Sequence, residues 1–464
     1  MMCLIAKKII CVLLILISGS AFLVSCDSYS SKGSYKMAII NNELDYLDFI
    51  SAEELKKNNF VSMNHSYDTD VSTAFLTKDG NIVIYVYSVP IRFWNENGKM
   101  LDIDSRICET IDNNKNNGYA YTIANSDIKP YYPENLSTEK GVLLVGNNVS
   151  YDFGISGIDS EISAKYVEAT NFISEETNMV LYQNAIESKS NVFLYPSPLG
   201  TNCEIHIEHR IEKSPKFWVS TDATAKLEDG GYITLTKNNE SNKPEIVGLI
   251  QSPIIKEGTQ RVSYGCQWAV NQVDDKKYEL SLVIDPVISK KTNYTIYTSF
   301  ECRREKQPDS AIYSGKPDMN SYLSNSCIIG NYEEYGNGEI MTRFNIIKKL
   351  NLNLEQVKSV SYNIYSFDSD NQFEMRSMLE NWCSVTGSWS NNYKTGDVTS
   401  IINTKTHIIS FDITKEFMKW FEEGRYNEAF GVKIKTINEK EGDYSVLLTN
   451  DNSLYRNKAI IYLN

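Results

Sequence analysis

The sequence predicts an all-β protein built from β-sandwich modules, with only a few short helices. Three observations predict this fold class. The 464-residue chain has 30 tyrosines and is rich in valine, isoleucine and threonine, which favour strands. Short stretches of alternating apolar and polar residues recur between turn signals along most of the chain. Strands do not alternate with long helices and no fixed-period repeat is present, which argues against α/β and solenoid folds.

The first 25 residues have the pattern of a lipoprotein signal peptide. Lys7 and Lys8 precede a short apolar run over residues 9–17, which is too short to span a bilayer by itself. Residues 23–26, with the sequence Leu-Val-Ser-Cys, resemble the bacterial lipobox. The resemblance implies cleavage before Cys26 and attachment of a diacylglyceryl group to its thiol. An uncleaved N-terminal anchor, or ordinary cleavage nearby, is the alternative.

Lipidation would give the protein both a location and a membrane partner. An exported protein lipidated at Cys26 is anchored to the outer face of the bacterial cytoplasmic membrane. Residues 26–59 then form a polar tether and one short helix, since apolar residues between 44 and 57 recur at helical intervals. The formal net charge of −13 argues against nucleic acid as a partner.

Hairpins account for much of the predicted strand content. Residues 74–87 contain one hairpin, whose Asp79-Gly80 pair supplies the positive φ that a tight turn needs. The same turn chemistry predicts hairpins over residues 91–103 and 225–235.

Three β-regions are predicted after the tether, over residues 60–150, 151–290 and 294–464. The last boundary follows an alternating strand over residues 278–284, which ends at Pro286 because proline cannot continue the ladder. A polar stretch separates this strand from the terminal module. The sequence therefore predicts two β-regions followed by a separate C-terminal module.

The mature chain would retain six cysteines besides the lipidated one. They are far apart in sequence and form no C-x-x-C pair, so a structural zinc site is not predicted. Disulfides and buried free thiols are equally consistent with the sequence. The six residues are Cys108, Cys203, Cys266, Cys302, Cys327 and Cys383.

The last third of the chain carries a set of spaced landmarks of turns, strands and tryptophans. They are residues 315–320, 328–330, 341–346 and 360–365, Trp382 and Trp389, residues 411–414 with Trp420, and residues 459–462. Together they resemble the DNRLRE domains of bacterial surface proteins, which are related to carbohydrate-binding modules. The resemblance covers residues 294–464 and implies a C-terminal jelly-roll module with a carbohydrate-binding role.

A second set of landmarks lies in the preceding region. It consists of the Asp79-Gly80 hairpin, residues 89–93 with Gly98, residues 102–104 and residues 284–286. This set resembles the region that precedes such modules in Gram-positive wall-associated proteins of the RHS type. One departure lies in the terminal module, where Ser384 stands in place of an acid that DNRLRE domains often carry between the tryptophans.

Nothing in the sequence points to catalysis. The chain has four histidines and no G-x-S-x-G motif, and His206 and His209 are three apart in an apparent strand, where they face opposite sides. Glycosidases need two converging carboxylates, and no pair among the 59 acids is singled out. We predict that the protein is not an enzyme, with a glycoside hydrolase or lyase as the alternative.

Two polar loops have the oxygen-rich composition of calcium sites. A calcium loop that begins at Asp112 needs a glutamate at its twelfth position, where this chain has Ile123. An asparagine-rich turn is therefore predicted over residues 112–118. Asp368, Asp370 and Asn371 follow a predicted strand and form either a turn or a structural calcium site. No other cofactor is expected.

Aromatic side chains carry the only binding signal. Tyr313, Tyr322, Trp389 and Tyr393 lie near predicted turns of the C-terminal module, whereas Trp382 lies in a pattern that predicts burial. Sugars stack their C–H groups on exposed aromatic faces, while their hydroxyls bond to nearby polar side chains. The sequence therefore predicts binding of a polysaccharide or cell-wall polymer. A purely structural role, as an assembly module for a protein partner, is the alternative.

Overall fold

Antiparallel sheets make up most of the described chain, which confirms the predicted all-β fold. Helices are few and short, and none in the described ranges is long and apolar enough to cross a membrane. The computed structural model describes residues 47, 49–146, 149–158, 160–187, 189–258, 262–302, 309–343, 350, 352–368, 372–403, 406–422, 431–438, 440–452 and 454–464.

The N-terminal segment contributes α1 (Ala52–Lys57), β1 (Phe60–Met63), β2 (Ser72–Thr77) and β3 (Ile82–Tyr87). The predicted hairpin is present, and Gly80 has a φ of 83° in its turn. The helix begins later than predicted. Its N-terminus is capped by Ser51, whose hydroxyl accepts a hydrogen bond from the backbone N–H of Glu54 at 3.1 Å. Residues 44–46 lie outside the described residues.

The first sandwich follows a small ribbon formed by β4 (Arg92–Trp94) and β5 (Met100–Asp102). Its elements are listed here in chain order: β6 (Asp104–Glu109), α2 (Asn113–Asn116), β7 (Tyr119–Asn125), β8 (Lys129–Pro133), β9 (Asn135–Leu136), β10 (Val142–Val145), β11 (Ser150–Ile155), β12 (Ile162–Thr170), β13 (Glu176–Ile186), β14 (Ser190–Ser197), β15 (Gly200–Ile207), β16 (Lys216–Ser220), β17 (Thr224–Leu227), β18 (Ile233–Asn238), β19 (Pro244–Ile250), β20 (Ile254–Glu257), β21 (Val262–Ser263), β22 (Cys266–Asp274), β23 (Lys277–Ile284) and β24 (Tyr294–Cys302).

Two sheets of the first sandwich face each other. One has the order β22-β23-β16-β11-β10-β8-β7-β6, and the other has the order β17-β18-β19-β24-β15-β14-β13-β12-β9, with β20 on β24 and β21 on β20. Phe153 of the first sheet stacks on Phe300 of the second, with ring centroids 3.7 Å apart in the shared core. The predicted hairpins over residues 91–103 and 225–235 and the predicted strand over residues 278–284 are all present.

The second sandwich contains β25 (Asp309–Tyr313), β26 (Ser326–Tyr332), β27 (Gly336–Thr342), β28 (Val357–Tyr365), β29 (Gln372–Met378), β30 (Thr395–Asn403), β31 (Ile408–Asp412), α3 (Thr414–Glu422), β32 (Val432–Thr436), β33 (Tyr444–Leu448) and β34 (Lys458–Leu463). Its seven-stranded sheet has the order β30-β29-β32-β27-β26-β33, with β25 on β27, and its six-stranded sheet has the order β1-β2-β3-β34-β28-β31. From β28 onward the chain passes repeatedly between the sheets, as in a jelly roll.

Sheet pairing corrects the predicted domain boundaries. β3 pairs along its whole length with β34, so residues 60–87 complete the C-terminal sandwich. A boundary between residues 150 and 151 falls inside β11. The strand that begins at Tyr294 pairs with β15 of the first sandwich, so residues 294–464 are not a separate module. The first sandwich is therefore an insertion between β3 and β25 of the second.

The two sandwiches share buried contacts. Phe172, in the turn between β12 and β13, packs edge-on against Phe367 of the second sandwich, with centroids 5.5 Å apart. The side-chain oxygen of Gln251 accepts a hydrogen bond from the backbone N–H of Asn325 at 3.0 Å. Residues 46–464 accordingly form one compact unit.

An ion pair between a buried lysine and a partly exposed glutamate joins the two ends of this unit. The ammonium of Lys458 in β34 donates to both carboxylate oxygens of Glu54 in α1, at 2.7 and 2.8 Å. It also lies 4.7 Å from the centroid of the Tyr85 ring. Burial lowers the pKa of Lys458, although the charge of Glu54 opposes this shift. The pair therefore holds α1 against the second sandwich.

Candidate ligand-binding face

The seven-stranded sheet of the second sandwich carries an apolar floor on its outer face. Ala311 and Tyr313 of β25 belong to the sandwich core, so Ile312 between them points to the opposite side. Met341 of β27 and Met378 of β29 lie in the same outer cluster as Ile312. These three apolar side chains form a floor on which the segment after β29 packs.

Three aromatic side chains cover this floor, and we call them the aromatic patch: Trp382, Trp389 and Tyr393. Trp382 is only 4% exposed, which confirms its predicted burial. Trp389 and Tyr393 are half-buried. Trp389 begins a short 3₁₀ turn that ends at Asn391. Two aromatic rings therefore reach the surface on one supported cluster, which satisfies the first requirement for stacking a sugar.

A fixed positive charge borders the aromatic patch. The guanidinium carbon of Arg343 lies 4.8 Å from the centroid of a Trp382 ring. Its Nη2 donates to the side-chain oxygen of Asn381 at 2.6 Å and also to the backbone carbonyl of Trp382. Burial lowers the pKa of Arg343, but arginine remains charged at neutral pH. The guanidinium is therefore held in place beside the patch.

Hydrogen bonds fix the loop that carries Trp389. The hydroxyl of Ser390 donates to a carboxylate oxygen of Asp318 at 2.8 Å, and the amide of Asn391 donates to the Tyr393 hydroxyl at 2.5 Å. The side-chain amide of Asn320 donates to two backbone carbonyls of the same loop, at 2.8 and 3.1 Å. Carboxylate, amide and hydroxyl groups thus surround the exposed rings in a loop that is already ordered.

A row of ion pairs continues across the same outer face. Lys433 lies 2.7 Å from Glu339, while Glu374 bonds to Arg376 at 2.8 Å and lies 3.4 Å from Lys435. Burial opposes ionisation of Glu374, but the hydrogen bond from Arg376 and the charge of Lys435 together lower its pKa. Polar and charged groups therefore extend the face beyond the aromatic patch.

The structure separates the four predicted aromatic ligands. Trp389 and Tyr393 lie together, but Tyr313 is only 3% exposed and its hydroxyl accepts a hydrogen bond from the backbone N–H of Ile328 at 3.3 Å. The prediction that Tyr313 offers an exposed ring is therefore wrong, because β25 is buried on both faces. Tyr322 is half-buried and packs into a different cluster with Tyr232. It does not join the aromatic patch.

Several residues of this face have no role that the local sequence predicts. Arg343 is 39 positions before the tryptophan whose backbone carbonyl it bonds, and only the folded sheet brings the two together. Asp318 and Asn320 belong to the turn over residues 315–320, whose composition predicts a turn but not the hydrogen bonds to the loop that carries Trp389.

The predicted calcium loop is only partly within the described residues. Asp368 is half-buried, and its backbone N–H donates to the hydroxyl of Ser366 at 3.2 Å, as in a turn. Asp370 and Asn371 lie outside the described residues. Within the described ranges, no group of three or more His, Cys, Asp or Glu side chains could hold a metal ion.

None of the six cysteines within the described ranges belongs to a disulfide. Burial raises the pKa of four of them well above the ordinary value, so they are poor nucleophiles. These four are Cys203, Cys266, Cys302 and Cys327. Cys383 is exposed, Cys108 is half-buried, and Cys26 lies outside the described residues.

Searches of family models and of curated proteins give no match for this chain. Its function is therefore argued from the geometry of the candidate face.

Proposed function

We propose that this chain is a non-catalytic surface lipoprotein whose second sandwich binds a polysaccharide or cell-wall polymer at the aromatic patch. The observation that carries the proposal is the pair of half-buried rings, Trp389 and Tyr393, which reach the surface beside the buried Trp382 and above the apolar floor. A saccharide would stack its C–H face on these rings and bond its hydroxyls to the surrounding polar groups.

Rigidity of the patch favours binding without a large conformational cost. The loop around Trp389 is tied to a neighbouring turn through Asp318 and Asn320. Side chains that are already ordered lose little entropy when a ligand binds. Asp318, Asn391 and Arg343 offer the acceptor and donor groups that sugar hydroxyls require.

The anchor is proposed from the sequence at residues 23–26. In this proposal the lipid on Cys26 holds the protein at the outer face of the bacterial cytoplasmic membrane. The chain that follows the tether enters the second sandwich directly, through α1 and β1. The sandwich that carries the aromatic patch is thus also the one nearest to the tether along the chain.

Affinity electrophoresis tests the binding proposal. The chain without residues 1–26 would be run through gels that contain acidic or neutral polysaccharides, beside the variants Trp389→Ala and Tyr393→Ala. Trp94→Ala is the matched control, because Trp94 is 63% exposed but lies on β4, far along the chain from the patch. Retardation that disappears in the first two variants and persists in the control supports the proposal. Retardation that both patch variants retain contradicts it.

A second candidate function, as an assembly module for a protein partner, is favoured by one observation. β30 is the outermost strand of the seven-stranded sheet and exposes Val398 (37%) and Ile401 (60%). Edge strands with apolar side chains can accept a strand from another protein. Two results together would favour this role. The chain would migrate unretarded in every polysaccharide, and the wild type would capture a protein that the Ile401→Lys variant does not capture.

A further inference from the structure

The first sandwich carries a recess that the proposed function does not use. The recess has a volume of about 460 Å³ and opens at the surface. It is lined by Gly146, Val149, Ser150, Ser220, Thr221, Asp222, Lys237 and Lys276. A volume of this size accommodates a small ligand or one unit of a polymer.

Both sheets of the first sandwich contribute to the recess. Ser150 begins β11, and Ser220 ends β16 in the eight-stranded sheet. Lys237 belongs to β18 in the facing sheet, and Lys276 lies in the turn between β22 and β23. The recess therefore lies where ends of the two sheets meet. Residues 147–148, next to it in sequence, lie outside the described residues.

The charge balance of the recess is positive. Lys237 lies 2.5 Å from a carboxylate oxygen of Asp222, and this hydrogen bond is the main reason that the pKa of Asp222 is lowered. Lys276 lowers that pKa further through its charge, although no acid within the described ranges forms an ion pair with its ammonium. Among the lining side chains, two cations are thus set against one anion, in a chain whose formal net charge is −13.

Three of the lining residues carry hydroxyl groups, namely Ser150, Ser220 and Thr221. Hydroxyls and ammonium groups are hydrogen-bond donors, and together they can surround several oxygens of one anion. A phosphate group offers more acceptor oxygens than a carboxylate and carries up to two negative charges, so it fits this donor set better.

We propose that the recess of the first sandwich binds a phosphate group, either as free inorganic phosphate or as part of a phosphate-bearing polymer. The topology supports a separate role for this sandwich. It is inserted in the chain between β3 and β25, but β3 pairs directly with β34, so the N-terminal segment joins the sandwich that carries the aromatic patch without the first sandwich between them. A sandwich that is not a spacer between these two parts can carry a binding site of its own.

The test is isothermal titration calorimetry, in which inorganic phosphate and, separately, glycerol 1-phosphate are titrated into the chain without residues 1–26. Lys276→Met should weaken binding at least tenfold, because it removes one of the two cations that line the recess. Asp222→Asn should strengthen binding about fivefold, because it removes the competing negative charge. Lys216→Met is the control, since Lys216 pairs with Glu279 on the same sandwich and does not line the recess.

Lys276→Met should weaken binding and Asp222→Asn should strengthen it. Because misfolding could only weaken binding, the two variants together distinguish a direct effect on the site from a loss of folding. Binding of both probes supports a site for phosphate within a polymer, whereas binding of inorganic phosphate alone supports a site for the free ion. The proposal is overturned if neither probe binds saturably, if Lys276→Met binds like the wild type, or if Asp222→Asn weakens binding. Equal weakening by Lys216→Met would also overturn it.

Discussion

A fragment of residues 294–464 is expected not to fold, although the sequence marks it as a module. The six-stranded sheet of the second sandwich needs β3, which pairs with β34 over residues 82–87 and 458–463. Without the N-terminal segment, β34 becomes an unpaired edge and one side of the core is exposed to water. The fragment would also carry β24 without the sheet of the first sandwich to which it belongs.

The size of this effect follows from the core contacts of the missing strands. Ala74, Ile84 and Val86 are at most 5% exposed and belong to the core of the second sandwich. Burial of such side chains contributes about 5 kcal/mol in total, and the facing side chains that they cover lose a similar amount. The sum of about 10 kcal/mol is comparable to the whole stability of a typical domain.

Urea unfolding followed by near-UV circular dichroism checks this prediction. The chain without residues 1–26 should unfold in a cooperative transition, whereas the fragment of residues 294–464 should show no transition. Adding a peptide of residues 47–88 should restore part of the fragment's native signal, since it supplies α1 and β1–β3. If the fragment alone unfolds cooperatively at the same urea concentration as the longer chain, then folding does not require the pairing of β3 with β34, and the prediction is refuted.

Three further predictions concern single side chains. Glu416→Gln should raise Tm at pH 7 and leave it unchanged near pH 4. Burial of Glu416 in α3 raises its pKa, so the carboxyl favours the folded state when protonated and loses that contribution as the pH rises through its folded pKa. A lower Tm at pH 7, with exposed Glu240→Gln unchanged, would contradict this. Lys458→Met should reduce the free energy of unfolding by about 3 kcal/mol, because Glu54 loses its counter-ion. Urea denaturation measures this change, and the exposed Lys358→Met is the control. A loss of stability no larger than that of the control would contradict the prediction. Cys383 should be the first thiol that a thiol reagent modifies in the native chain, since it alone among the described cysteines is exposed; mass spectrometry that finds Cys327 modified equally fast would oppose this.

Local features of the fold are predictable from the sequence because their causes are local. An Asp-Gly pair needs no distant contact to favour a tight turn, and Gly80 has the expected positive φ. The same holds for the proline that follows the strand ending at Ile284. Pairing between β3 and β34 depends instead on residues about 375 positions apart, such as Ile84 and Ile461, and no local pattern reveals it.

The residues of the candidate site divide in the same way, into those that local sequence predicts and those that only the folded structure reveals. Trp389, flanked by serine and asparagine residues, is half-exposed, which keeps it as a ligand candidate. Tyr313 looked equivalent, but all five residues of its strand are buried, so period-two alternation could not tell the core from the surface. Arg343 was missed because its contact with Trp382 exists only in the folded sheet.

Calorimetric titration of the most strongly retarded polysaccharide into three proteins tests the central claim most directly. The proteins are the chain without residues 1–26 and its variants Trp389→Ala and Trp94→Ala. Loss of the Trp389 ring should remove about 2 kcal/mol of apolar contact, which corresponds to a Kd about 30-fold weaker, while the control should bind like the parent chain. Equal affinity of all three proteins would contradict the claim that the aromatic patch is the binding site.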